Sequence, residues 1–232
     1  VWGVHLALAV ACALASGAWA SALMGWSLYG ISLATFHLME FFMTAAFNPD
    51  TVSYDSYLIN HSKAYVIAAV ASWAEFWFEI FLAFRGGTDV RMPPNVSIPI
   101  GICLVLVGQF LRSLAMWTAR HNFNHIVQDK RKENHVLVTN GVYRFLRHPS
   151  YVGFFYWSVG TQFLLGNPFC AVAYAVASWQ FFRKRIPDEE RYLCERIFPE
   201  DYPGYIQRTY MGIPLIRGYT PPTRNPKSGK KE

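Results

Sequence analysis

The stretch RHPSYVGFFYWSVGTQFLLGNPFCAVAYAVASWQFFRKRIPDEE, residues Arg147–Glu190, decides how this chain is read. Its middle is apolar and is interrupted only at Gly166-Asn167-Pro168, a turn signal. That pattern predicts a tight helical hairpin over Tyr151–Gly166 and Phe169–Phe182. Both arms are short for full crossings, because a helix spanning a bilayer needs roughly 20 apolar residues. Polar strings stand at the two feet: Arg147-His148-Pro149-Ser150 before the hairpin, and Arg183-Lys184-Arg185-Ile186-Pro187-Asp188-Glu189-Glu190 after it. Pro149 suits the first turn of a helix, which puts His148 near the helix N-terminus. Either string alone is a weak signal. Together, at the feet of one hairpin, they predict a polar pocket at a membrane face, roofed by the loop 119–149.

Working outward, four more apolar segments precede the hairpin: Gly3–Ala20, Trp26–Phe47, Lys63–Phe84 and Val96–Thr118. Val1–Ala20 is longer than a signal-peptide core and runs into further apolar sequence, so it is read as a span. The expected fold is therefore an all-α polytopic membrane protein with about six transmembrane helices. The expected organisation is four helices over 1–118, a catalytic region over 119–218 that holds the cytosolic loop, the hairpin and a C-terminal segment, and a disordered tail over 219–232.

Composition agrees. Of 232 residues, 53% are hydrophobic, 17% aromatic and only 16% charged, against about 25% charge in an ordinary soluble domain. The charge is unevenly placed: four basic and six acidic residues lie in 1–118, against 17 basic and nine acidic in 119–232. A basic excess that follows an apolar half is better explained by membrane topology than by nucleic acid, and nucleic acid is not an expected partner. The basic loop and the basic C-terminal segment share one face, which the positive-inside rule makes cytosolic. Two glycosylation sequons, at Asn60 and Asn95, read as chance occurrences. Cys12, Cys103, Cys170 and Cys194 form no CxxC and read as small apolar residues. No dinucleotide, P-loop, zinc-protease or hydrolase motif is present, so any nucleotide-like cofactor binds outside a Rossmann fold.

Ionisable residues inside spans carry the functional questions. Arg112 lies about one and a half turns from the cytosolic end of its helix. It either holds an anionic group in an apolar site, or snorkels, or pairs structurally with Glu75 or Glu79. His37 and Glu40, three residues apart, share a helix face; a structural interhelical contact is favoured there over half of a metal site. Glu75 and Glu79 share a face in the same way.

The combined strings resemble a known family. Arg147 to Gly153, the hairpin, then Arg185 and Glu189-Glu190 look like the signature of membrane methyltransferases. Asn122 to Gln128, Leu137 to Tyr143, Phe154 to Gln162, Gly212-Ile213-Pro214, Asn60-His61-Ser62 and Ser72 to Phe76 make the set similar to eukaryotic isoprenylcysteine carboxyl methyltransferases up to about Gly218. One departure is Ile186-Pro187-Asp188, where that family often has a more acidic run. The resemblance implies methyl transfer from S-adenosylmethionine, with S-adenosylhomocysteine as product, to the α-carboxylate of a C-terminal prenylcysteine, and no metal. It implies prenylated CaaX proteins such as small GTPases as partners, together with membrane lipid, and an endoplasmic reticulum membrane location with the active site facing the cytosol.

By the same resemblance the cofactor pocket takes Gln128, His135, Val136, Leu137, Val138, Tyr143, His148, Pro149, Ser150, Tyr151 and Glu189. Arg185 meets the prenylated substrate and Arg112 its carboxylate. The competing readings are a phospholipid-amine methyltransferase of the same superfamily, and a non-catalytic membrane scaffold that binds prenylated tails. A transporter is disfavoured because the chain shows no internal repeat.

Overall fold

In the computed structural model the described residues are 1–14, 18–59, 62–125 and 135–221. They form seven α-helices: α1 (Trp2–Leu14), α2 (Ala18–Phe47), α3 (Lys63–Phe84), α4 (Pro94–Ala119), α5 (Pro149–Leu165), α6 (Pro168–Tyr192) and α7 (Tyr202–Arg208). Among the described residues, three helical stretches are by themselves long and apolar enough to cross a membrane: Trp19–Phe47, Lys63–Phe84 and Pro94–Asn122.

Two expected boundaries are corrected. The span expected over Gly3–Ala20 ends at Leu14, and α2 starts at Ala18 instead of Trp26. Gly25 lies inside α2, where a Cβ would run into the carbonyl oxygen of Leu164; it is a close-packing residue and not a breaker. The second helix of the hairpin continues past Phe182 to Tyr192 and carries Pro187 within it. The extension persists because Phe182, Ile186 and Glu190 recur every fourth residue and bury one face.

The hairpin turns at Gly166, whose φ is 77°, the left-handed region that glycine enters without a Cβ clash. Asn167 donates to the Ser72 carbonyl at 2.9 Å and to Oε1 of Gln162 at 3.2 Å. Glu75 accepts from the backbone amides of Phe169 and Cys170, at 2.8 and 2.6 Å. A carboxylate at that position satisfies the open N–H groups and the dipole of α6. Glu75 is thus an interhelical tie, while Glu79 is buried and its carboxylate has no hydrogen-bond partner among the described residues.

A glycine seam joins α4 to α5. A Cβ on Gly108 would lie 2.6 Å from the carbonyl oxygen of Gly153, and one on Gly101 would lie 3.0 Å from that of Gly160. The antiparallel helices therefore touch backbone to backbone, the close approach that small residues allow in lipid. Gly108 is one turn before Arg112 and Gly153 is three residues after Ser150, so the seam brings Arg112 against the first turn of α5. Above it, Phe36 of α2 stacks on Trp157 of α5 with ring centres 4.2 Å apart. Trp26 stacks on Phe76 of α3 at 5.0 Å, which completes the core shared by α2 to α5.

Beyond the hairpin the chain turns back. Residues Met211, Ile213 and Ile216 pack on Val152, Phe182 and Ile186. Cys194, Ile197, Phe198, Tyr202 and Tyr205 form a separate small core. Tyr219, assigned to the tail by the sequence, is hydrogen-bonded through its backbone N–H to Glu190 at 2.7 Å. The last residues of the expected tail, 222–232, lie outside the described residues.

Candidate active site

Two cavities meet at the first turn of α5. The first, of about 150 Å³, is walled by the 135–138 segment, Tyr143, the start of α5, Glu189, and the Leu193–Tyr205 core. Ten of the residues that resemblance assigned to the cofactor line it together: His135, Val136, Leu137, Val138, Tyr143, His148, Pro149, Ser150, Tyr151 and Glu189. Gln128 lies outside the described residues. Asn122, Phe123, Asn124, Leu193, Phe198, Tyr202 and Tyr205 also line this cavity and were not foreseen as site residues. Only the Asn122–Asn124 string carried a signal, as part of the family pattern.

The Glu189-Glu190 pair divides into two roles. Glu190 is fully buried and is a clamp. It takes Nε of Arg147 at 2.8 Å, Nε2 of His148 at 3.2 Å and the Tyr219 amide. Burial alone would raise its carboxyl, but the hydrogen bond and charge of His148, with Arg147 and the Tyr219 amide, hold it below its ordinary value. Arg147 also donates to the carbonyls of Ile206 and Thr209, at 2.9 and 2.7 Å, so the C-terminal segment is tied to the foot of α5. Glu189, by contrast, faces the cavity. It accepts from the Tyr151 hydroxyl at 2.5 Å, and that hydroxyl accepts from Nε of Arg185 at 2.8 Å. Tyr151 lies parallel to His148, with centres 5.3 Å apart. Burial raises the phenols of Tyr143, Tyr202 and Tyr205, so these walls stay neutral.

The second cavity, of about 420 Å³, runs between α2, α3, α5 and α6. Its walls are mostly apolar, among them Leu33, Phe36, Ala68, Phe154, Trp157, Ala173, Ala177 and Phe181. Its polar end carries Arg112, His125 and Arg185. Phe123, Asn124, Ser150 and Tyr151 line both cavities, so the two share one wall.

The sequence misplaced the partner of Arg112, which is neither Glu75 nor Glu79. It pairs with Glu40 through Nε and Nη2 and donates from Nη1 to the Ser150 hydroxyl at 2.9 Å. Glu75 is occupied at the far end of the hairpin, at the start of α6. His37 turns away from Glu40, with Nδ1 2.7 Å from the Tyr57 carbonyl and Nε2 3.2 Å from the Tyr65 hydroxyl. The interhelical contact favoured for His37 and Glu40 is thus present, from His37 to Tyr65 of α3 and from Glu40 to Arg112 of α4, while no site role was foreseen for Glu40 or for His125 of the Asn122–Gln128 string.

The fold and site define a class: a helical protein with three stretches long and apolar enough to cross a membrane, and two cavities that share a wall, the larger of them mostly apolar. The family model described as "Isoprenylcysteine carboxyl methyltransferase (ICMT) family" matches residues 100–195. A protein-S-isoprenylcysteine O-methyltransferase of Schizosaccharomyces pombe is 36% identical over 233 residues, covering 92% of this chain and 98% of that protein. Those of Xenopus laevis and Tribolium castaneum are 48% and 49% identical, covering 84% and 81% of this chain. The chain spans 65% and 64% of the length of those two relatives. The solved structure of the eukaryotic intramembrane Ras methyltransferase ICMT is similar at a TM-score of 0.81 and 43% identity, over 94% of this chain and 75% of that one. The chain belongs to the isoprenylcysteine carboxyl methyltransferase family.

Proposed function

We propose that this chain transfers a methyl group from S-adenosylmethionine to the free α-carboxylate of a C-terminal prenylcysteine, giving the methyl ester. The observation that carries this reading is the shared wall of the two cavities, which lets a polar and an apolar ligand meet at Ser150, Tyr151 and the arginines. The first cavity suits the cofactor chemically. It offers one carboxylate, a parallel ring pair, the irregular segment 135–138 and apolar patches from Leu137, Leu193 and Phe198. When bound, S-adenosylmethionine supplies an electrophilic methyl on a sulfonium.

The remaining work falls to this chain. Glu189 holds the cofactor's amine or ribose hydroxyls, and Tyr151 fixes the rotamer of Glu189. Arg112 orients the substrate carboxylate, and Arg185 lies along the path of the prenylated substrate. A carboxylate is ionised at neutral pH, so no strong general base is needed. The protein must align nucleophile, methyl and sulfur and exclude water. The prenyl chain gains about 0.8 kcal/mol per buried methylene, which suits entry from the bilayer into the apolar cavity.

The same reading gives six crossings, with α1 to α4 as a membrane scaffold over 1–118, a catalytic region from 119 that takes in Tyr219 through its bond to Glu190, and a tail beyond it. It puts the basic face in the cytosol of an endoplasmic reticulum membrane. Prenylated CaaX proteins, small GTPases among them, are the substrates. The test is base-labile methyl ester formed from tritiated S-adenosylmethionine and N-acetyl-S-farnesyl-cysteine by the full chain in detergent. Cofactor binding without ester refutes the substrate assignment and points to lipid amines. No cofactor binding refutes the methyltransferase reading and favours a scaffold.

A further inference from the structure

Arg112 is held from three sides. Its Nε donates to Oε1 of Glu40 and its Nη2 to Oε2 at 3.0 Å, so the fork that would otherwise grip a carboxylate is spent on a residue of α2. Nη1 donates to the Ser150 hydroxyl at 2.9 Å. The guanidinium lies 5.3 Å from the centre of the Phe36 ring and 5.7 Å from that of Phe154. Glu40 is only 1% exposed, and its Oε2 also accepts from Nε2 of His125 at 2.8 Å. His125 is the outer member of the set, with 24% of its side chain exposed. One carboxylate is thus shared between a guanidinium and an imidazole, both of which line the apolar cavity.

This matters because the reaction destroys charge. The nucleophile is an anion and the donor a sulfonium cation, and both charges fade as the methyl passes. A bare guanidinium in a water-poor site would bind the ground-state carboxylate more strongly than the transition state, which lowers the turnover of bound substrate. From this geometry we infer that Glu40 is a positioning residue that sets how hard Arg112 holds the substrate carboxylate, a role that rests on the carboxylate-methylation reading above. Glu40 fixes the guanidinium toward the junction and cancels much of its charge, so that Arg112 aligns the nucleophile without trapping it. His125 sets the balance from the other side: its N–H draws on the same carboxylate and leaves Arg112 less neutralised than Glu40 alone would.

Two variants separate this from a structural role, because they move the substrate KM in opposite directions. Glu40→Gln keeps the shape and removes the charge. KM for N-acetyl-S-farnesyl-cysteine falls by about 10-fold and kcat falls by at least as much. The affinity for S-adenosylmethionine stays within about 3-fold. His125→Ala gives Glu40 wholly to Arg112. KM for the same substrate rises by about 3- to 10-fold with kcat within about 2-fold of the wild type.

A KM in Glu40→Gln that is unchanged or raised overturns the inference. So does a shift of both variants in the same direction. Should Glu40→Gln fail to bind the cofactor and prove unfolded, His125→Ala decides alone, and an unchanged or lowered KM refutes the role. The wild type, run alongside, separates the two levels: ester formation by the wild type with unaltered variants sinks only the role of Glu40, whereas no ester from the wild type sinks the carboxylate reading and this inference with it.

Discussion

The glycine seam makes a prediction that separates packing from positioning. A Cβ added at Gly153 would lie 2.6 Å from the Gly108 carbonyl oxygen, 2.7 Å from the Arg112 amide and 2.9 Å from the Arg112 Cβ. A Cβ added at Gly160 would lie 2.7 Å from Leu104 Cβ and 2.9 Å from the Val105 amide. Ordinary contact begins near 3.4 Å, so Gly153→Ala forces α5 and α4 apart by 0.8 Å and Gly160→Ala by 0.7 Å. The two sites are on one helix and seven residues apart, about 10 Å along the axis. Each substitution overpacks a tight crossing and should lower stability by about 1–3 kcal/mol. Their effects on chemistry should differ. Gly153 bears directly on the backbone of Arg112, whereas Gly160 is two helical turns away. A displacement approaching 1 Å at a reacting centre is worth about 100-fold in rate. Gly153→Ala should therefore lose about 30- to 100-fold in kcat, and Gly160→Ala less than about 5-fold. Thermal unfolding in detergent and methyl-ester turnover, measured on the same preparations, give both quantities. Equal rate losses at equal stability losses would refute the claim that the seam holds Arg112 in register.

Three further outcomes are expected. Arg112→Ala should remove most turnover and, by stranding Glu40 as a buried charge, destabilise by about 3–5 kcal/mol; adding Glu40→Ala should restore most of the melting temperature but not the rate, which calorimetry and turnover together check. Glu189→Ala should weaken S-adenosylmethionine binding by about 10-fold or more in isothermal titration, since among the described residues it removes the one carboxylate facing that cavity. Glu190 has a carboxyl held below its ordinary value of 4.5, so its contribution is complete above that value and is lost as pH falls through the lower folded-state value. Melting temperature should hold from neutral pH to about pH 5 and drop below it, and Glu190→Gln should flatten that acid limb while starting lower; an unaltered limb in the variant would rule out the clamp as its source.

Much of this arrangement was legible in the chain because it is written in short strings. The hairpin needs only an apolar run and a Gly-Asn-Pro turn, and Lys63–Phe84 begins and ends where hydropathy puts it. The ten described residues expected to hold the cofactor line one cavity together, contributed by the 135–143 segment, the foot of α5 and the end of α6. The partner of Arg112 was not legible. Glu40 is 72 residues away in sequence, and which helix faces which is a tertiary fact that spacing along one helix does not contain. The α1–α2 boundary failed for another reason: two apolar helices joined without a polar loop leave no contrast in hydropathy. The end of α6 lies beyond the arm that hydropathy predicts, because the apolar run stops at Phe182 while the helix continues through charged residues. The spacing of Phe182, Ile186 and Glu190, read as a buried face, would have extended it.

The first turn of α5 explains why these features occur together. Ser150 presents its hydroxyl to Arg112 and lines both cavities, while Tyr151 stacks on His148 and bonds Glu189. One helical turn therefore forms the wall between the two cavities. Such a wall must be thin, so that ligands on its two sides can touch, and also rigid, so that they touch in line. Thinness comes from Gly153 and Gly108, which let α4 lie against α5 with no side chain between them. Rigidity comes from buried ion pairs on either side, Arg112 with Glu40 within the bundle and Arg147 with Glu190 at its face. Each pair leaves a second group of the site in place: Glu40 also holds His125, and Glu190 also holds His148. Apolar residues of equal volume could fill those positions with no loss of stability, since a buried ion pair often contributes little to it. They could not fix the direction of a guanidinium or a carboxylate at the junction, and that directional demand is the physical reason for charge in so apolar a chain.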